Sequence, residues 1–152
     1  MSKTKFCQGI SDISDSYTGF ILDQWGVLHD GRQVLPGVLG VLEELRQRNK
    51  EVIILSNSGK RAEESAQRME KLGIGRDLYD HIVTGGEFTA QGLKDRSTGI
   101  FDGLGDKVYL ISRGGDTSII NGLGLKQVDS IDKADFLLIS GSNAPRIELD
   151  SY

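Results

Sequence analysis

Val52-Ile53-Ile54-Leu55-Ser56-Asn57-Ser58-Gly59 is the stretch that decides the fold. Four apolar residues in a row, three of them β-branched, stop abruptly at a hydroxyl, an amide and a glycine. A run with no alternation reads as a strand buried on both faces, the habit of parallel sheets. A helix follows directly: Glu63 and Glu64 occupy its first turn, Ala62, Ala66, Met69 and Leu72 line one side, and Gly73 closes it.

Working outward, the same unit recurs on both sides. Upstream, Phe20-Ile21-Leu22 ends at Asp23, and a polar stretch from Gln24 to Leu35 contains the turn dipeptide Asp30-Gly31. Pro36 then opens a helix whose apolar face carries Val38, Leu42 and Leu45, with Arg46, Arg48 and Lys50 collected at its end. Downstream, His81-Ile82-Val83-Thr84 reads as a third strand, and Gly85-Gly86 leads into a weaker helix around Phe88 to Leu93. Val108 to Ile111 is a fourth strand, followed by a short helix from about Asp116; Lys126 to Val128 and Phe136 to Ile139 complete the set. Strands alternating with helices predict an α/β, Rossmann-like fold: one mostly parallel sheet with helices on both faces.

The bulk numbers bound the function classes. The 152 residues include 18 basic and 22 acidic side chains, a net charge of -4 with no Lys/Arg block, which argues against non-specific nucleic-acid binding. The single cysteine, Cys7, allows no internal disulfide and no thiolate metal cluster. Met1 to Gln8 lacks the apolar run of a signal peptide, and no stretch approaches the roughly 18–20 apolar residues of a membrane span. A cytoplasmic protein with no membrane partner is the expectation. Twenty glycines against two prolines fit many tight strand–helix connections.

In an open parallel sheet, ligands bind beyond the carboxyl ends of the strands. That singles out Asp23, Ser56, Thr84, Ser112 and Ser140, with Asp23 and Ser56 the most informative pair. A carboxylate leaving an apolar strand can attack phosphorus or ligate Mg²⁺, and a hydroxyl with Asn57, Ser58 and Gly59 at a helix start can hold phosphate. The structural alternative is equally open here: Asp23 capping a turn and Ser56 capping a helix. Trp25 could cover a substrate ring or pack on its own domain. His29, beside Asp30, reads as part of a solvated turn. Arg113-Gly114-Gly115-Asp116 lacks the spacing of a P-loop or dinucleotide fingerprint and is a weak anion site at most. Lys126 and Lys133 read as surface lysines.

Phe20-Ile21-Leu22-Asp23-Gln24-Trp25-Gly26-Val27-Leu28 resembles the first motif of the haloacid dehalogenase superfamily, an apolar strand followed by Asp-x-Asp-Gly-Val-Leu. Pro36-Gly37, the apolar helix and Ile54-Leu55-Ser56-Asn57-Ser58 are similar to the second motif of its class II branch, which includes nucleotidase-like and sugar-phosphate phosphatases. Arg61, Met69 to Ile74, Val83 to Glu87 and Ala134-Asp135-Phe136 fall in the family's order, so the resemblance covers about residues 16 to 141.

The resemblance implies a Mg²⁺-dependent hydrolase of a small phosphorylated metabolite, with homo-oligomerisation left open. Asp23 takes the place of the nucleophile that forms an aspartyl-phosphate and binds the metal. Ser56 takes that of the hydroxyl holding the transferring phosphoryl group, with Gly26, Asn57, Ser58 and Arg61 around the phosphate. The family's second Asp, the leaving-group acid, is Trp25 here; its backbone carbonyl can still ligate metal, while the indole cannot act as an acid. The family's Lys and acidic pair are not matched, so residues 1–152 read as a single core fragment without the cap domain and the C-terminal core elements. The alternative is a non-catalytic phosphate- or sugar-phosphate-binding relative, or an inactive fragment.

Overall fold

The decisive apolar run forms β2 (Glu51–Ser56), and its neighbour is β1 (Gly19–Asp23). The two are parallel, in a register that runs from Gly19↔Glu51 to Asp23↔Leu55. β3 (His81–Thr84) completes a three-stranded sheet in the order β1-β2-β3. The computed structural model describes residues 6–143; residues 1–5 and 144–152 lie outside them.

Burial along β2 alternates, against the expectation for an unbroken apolar run. Val52 and Ile54 are fully buried against Leu42 and Leu45 of α1 (Val38–Gln47) and Met69 of α2 (Ala62–Leu72). The opposite side carries Ile21, Leu55 and Val83, which are 67%, 49% and 41% exposed. Local pattern reports that a side chain is apolar, not whether a partner covers it. α1 begins at Val38, after a turn made by Pro36 and by Gly37 at φ 83°, so Pro36 precedes the helix instead of occupying its first position. Asp80 fixes the other end of β2: its carboxylate accepts the Val52 N–H at 2.8 Å and an Arg46 N–H at 2.7 Å. Those two donors hold its carboxyl below the usual carboxylate range.

β4 (Lys107–Ile111) is the centre of a second three-stranded sheet, ordered β5-β4-β6, with β5 (Lys126–Gln127) and β6 (Phe136–Ile139) both parallel to it. Val108 is fully buried there, packed with Ile119 and Ile120 and flanked by Leu110 and Phe136. Ala90 and Leu93 of α3 (Gly85–Asp95) form a second cluster with Leu123. Among the described residues no α-helix follows Asp116; Arg113–Gly115 and Ser118–Ile120 are 3₁₀ turns. Gly114 and Gly115 both have positive φ, and Asp116 folds its carboxylate onto the Ser118 N–H at 2.9 Å, a turn that competes with helix.

The strands thus form two sheets where periodicity predicts one, because periodicity specifies elements and says nothing of which strand pairs with which. The chain divides accordingly into two compact units. The first comprises the described residues up to Ser56 together with Ser65–Val83; the second comprises Asn57–Glu64 and the described residues from Thr84 onward.

Candidate active site

In the first unit, the β1–β2 register places Asp23 opposite Leu55, so Ser56 stands one residue further along the adjacent strand end. Parallel pairing brings the two sequence-predicted residues to the same end of the sheet, where ligands collect in such folds. Asp23 is exposed, and its Oδ1 accepts the Gln24 N–H at 2.7 Å. Ser56 is 7% exposed.

The loop after Asp23 is a built structure. The Gln24 carbonyl accepts the N–H groups of Leu28 and His29 at 2.9 and 3.3 Å, and Gly26, at φ 78°, donates its N–H to the His29 carbonyl at 2.9 Å. The Gln24 side chain is buried and its Oε1 accepts the Ser65 hydroxyl at 3.0 Å, tying the loop to α2. Sequence reasoning missed Gln24, since a polar residue between Asp and Trp carries no local sign of burial.

His29 corrects the expectation of a solvated turn. It is 2% exposed, and its Nδ1 accepts the Gly31 N–H at 3.0 Å, which leaves the ring proton on Nε2. Burial pushes its pKa down, and Arg68 pushes the same way against Asp30. A neutral buried imidazole is a structural plug for the loop. Trp25 packs edge-on against it, ring centroids 5.8 Å apart at 81°, and lies under the Arg68 guanidinium at 6.0 Å, yet stays 61% exposed. Of the two sequence readings of Trp25, the ring packing on its own domain is the one these contacts show.

The second unit holds Asn57–Glu64, the loop directly after Ser56, and the residues from Thr84. Asn57 is exposed; the Ser58 carbonyl accepts the Gly86 N–H at 3.0 Å, and the Ser58 hydroxyl accepts the Lys60 N–H at 3.2 Å. Thr84 caps α3 by accepting the Glu87 N–H at 2.9 Å and donates its hydroxyl to the Lys60 carbonyl at 2.6 Å. Arg61, expected around the phosphate, is turned onto Glu87: its Nε and Nη2 donate at 2.8 and 3.2 Å. Glu87 also accepts the Ala62 N–H at 3.2 Å, and these donors, the Arg61 fork first, hold its carboxyl at about 2. A Cβ on Gly86 would run into the Gly59 and Lys60 carbonyls, so that position has room only for glycine. Thr84-Gly85-Gly86-Glu87 is therefore a clamp on the loop 57–62.

A sequence model of the haloacid dehalogenase-like hydrolases matches residues 20–126. The chain belongs to this family. Bovine (Bos taurus) chronophin is similar to the dehalogenase-like chain at 29% identity over 118 residues, covering 77% of this chain and 40% of that protein. The chain thus spans about two fifths of that relative's length. A haloacid dehalogenase-like hydrolase from Brucella suis 1330 superposes with a TM-score of 0.79 at 23% identity, covering 94% of this chain and 49% of that one. A glycerol phosphate phosphatase from Mycobacterium tuberculosis, solved in complex with calcium, gives a TM-score of 0.60 at 21% identity, covering 87% and 37%.

For a metal, the dehalogenase-like chain offers the Asp23 carboxylate and the Trp25 carbonyl, oxygen donors of the kind Mg²⁺ takes. They fit in chemistry but are few: no group of three His, Cys, Asp or Glu that could hold a metal occurs among the described residues. No helix among those residues is long and apolar enough to cross a membrane.

Proposed function

We propose that the protein carrying this chain is a Mg²⁺-dependent phosphate-ester hydrolase acting on a small phosphorylated metabolite, with Asp23 as phosphoryl acceptor. The observation that carries the reading is the pairing of β1 with β2, which sets Asp23 and Ser56 at neighbouring strand ends in a member of the dehalogenase-like family. An Asp23 carboxylate oxygen bonds to phosphorus as the ester P–O bond breaks, and the departing alkoxide takes a proton from solvent. Water then cleaves the aspartyl-phosphate, returning the carboxylate and releasing inorganic phosphate. Ser56 donates its hydroxyl to the phosphoryl oxygens, with Asn57 beside it. Gly26 gives the loop its positive φ, and Arg61 holds the loop 57–62 through Glu87. Mg²⁺, held by the Asp23 carboxylate and the Trp25 carbonyl, would neutralise phosphoryl charge.

A second reading rests on Trp25. A general acid is worth about 10²–10⁴-fold, and the indole in its place supplies none, which favours a slow enzyme or a phosphate-binding relative. Steady-state phosphate release from sugar phosphates, glycerol phosphate and nucleotides, measured on the longest natural form of the protein, separates the two. The hydrolase reading expects a Mg²⁺-dependent rate abolished in Asp23→Asn. A rate at background with every ester, while phosphate still binds, favours the binding relative.

A further inference from the structure

The second unit contains a cavity of about 190 Å³ lined by Ser58, Gly59, Lys60, Arg113, Asp116, Ile119, Ser140 and Gly141. Ile119 and two glycines line it beside five polar or charged side chains, and its charges are not equivalent. The Lys60 ammonium is balanced twice, by Asp116 and by Glu64 at 3.1 Å. Asp116 is spent as well: one oxygen meets Lys60 and the other accepts the Ser118 N–H at 2.9 Å, which keeps it ionised, at about 2. Arg113 differs. Its Nε donates to the Ser142 carbonyl at 3.0 Å, and among the described residues no carboxylate pairs with it. Among the described residues one of its five donors is used, and no carboxylate offsets its charge.

We propose that this cavity is a binding site for a small oxyanion, a carboxylate or a phosphate, anchored by Arg113 with the Ser58 and Ser140 hydroxyls and Lys60 beside it. A guanidinium presents parallel N–H groups that match two oxygens of either anion, and the Ser142 carbonyl fixes its orientation in advance. Volume agrees, since 190 Å³ is about six water volumes at roughly 30 Å³ each. Among the described residues the lining holds no aromatic ring, so none of them selects a base or another flat apolar body. The Lys60–Asp116 pair, 56 residues apart in sequence, closes one wall without consuming the Arg113 charge. The proposal does not depend on the chemistry assigned to Asp23 and goes beyond it, although Ser58 is also among the residues expected around that phosphate.

The test is ¹H–¹⁵N spectroscopy of the labelled chain titrated in turn with inorganic phosphate, malonate and glycerol, against sodium chloride at matched ionic strength. Phosphate, malonate or both should move the Arg113 Nε–H and the Gly114 and Gly141 amides saturably. Binding should weaken at least tenfold in Arg113→Gln and less in Arg113→Lys, which keeps the charge without the fork. Saturation by phosphate alone or by malonate alone identifies the source of the anion. Shifts no larger than those with chloride, or equal affinity in Arg113→Gln with its spectrum otherwise folded, overturn the proposal. So does glycerol binding as tightly as either anion. Phosphate that moves only Gly26 and Asn57 overturns this site while leaving the Asp23 reading intact; Asp23→Asn should leave the Arg113 response unchanged.

Discussion

His29 and Trp25 sit where a sequence reading is weakest, because each is polar or amphipathic and lies in a loop. Nothing local says that the imidazole is sealed under the ring, since the seal is made by Gly31, Arg68 and the loop's own carbonyls. The consequence for pH is specific. Burial keeps the native pKa of His29 below its ordinary 6.5, so the unfolded chain takes up the proton first. Stability is therefore unaffected by this group above 6.5 and declines as pH falls from 6.5 toward the lowered native value. Urea midpoints measured across pH 7.5 to 5 should show that decline in the wild type and a shallower one in His29→Gln. Gly31 is the neighbouring test. It has φ 87°, and a Cβ there would run into the Trp25 ring. Gly31→Ala should cost more than about 1 kcal/mol and shift the emission of Trp25, the chain's one tryptophan.

At the level of elements, what repeats along the chain was legible and what closes in space was not. The faces of α1 and α2 follow from the spacing of Leu42, Leu45 and Met69, all of which are buried as the periodicity demands. Met69 is fully buried, so Met69→Ala should destabilise by about 2–5 kcal/mol in a chemical denaturation series. The short helix predicted from about Asp116 is a single 3₁₀ turn, Ser118–Ile120, entered through two left-handed glycines and an Asp-centred turn. Thr84 and Ser56 looked alike as strand-end hydroxyls. Thr84 is consumed as a helix cap and only the fold reveals it. The clamp at Glu87 makes its own prediction. Its carboxyl is depressed from the usual 4.5 to about 2, so it contributes stability that is full above 4.5 and is lost as pH falls through 2. Glu87→Ala should lose about 1.5–3 kcal/mol at neutral pH, and its acid unfolding should lack the wild-type slope between those values.

For the whole molecule, the family, the alternation of strands and helices and the Asp23–Ser56 pairing were readable from motifs in order, whereas the order of strands within each sheet and the split into two sheets were not. The uncovered side of the first sheet, with Ile21, Leu55 and Val83, is an apolar surface larger than isolated exposed residues make. Sedimentation should show concentration-dependent association of the 152-residue chain, reduced by Leu55→Lys. The same chain should show no saturable, Mg²⁺-dependent hydrolysis of p-nitrophenyl phosphate. Mg²⁺ prefers six oxygens and gives up water reluctantly, and one carboxylate with one carbonyl bind it weakly. The central claim, that Asp23 accepts the phosphoryl group, is open to a direct measurement: ¹⁹F spectra of the longest natural form of the protein with beryllofluoride and Mg²⁺. Beryllofluoride on a carboxylate mimics an acyl phosphate. The account predicts a bound fluoride resonance in the wild type that vanishes in Asp23→Asn and survives in Arg113→Gln; a resonance that persists in Asp23→Asn would contradict it.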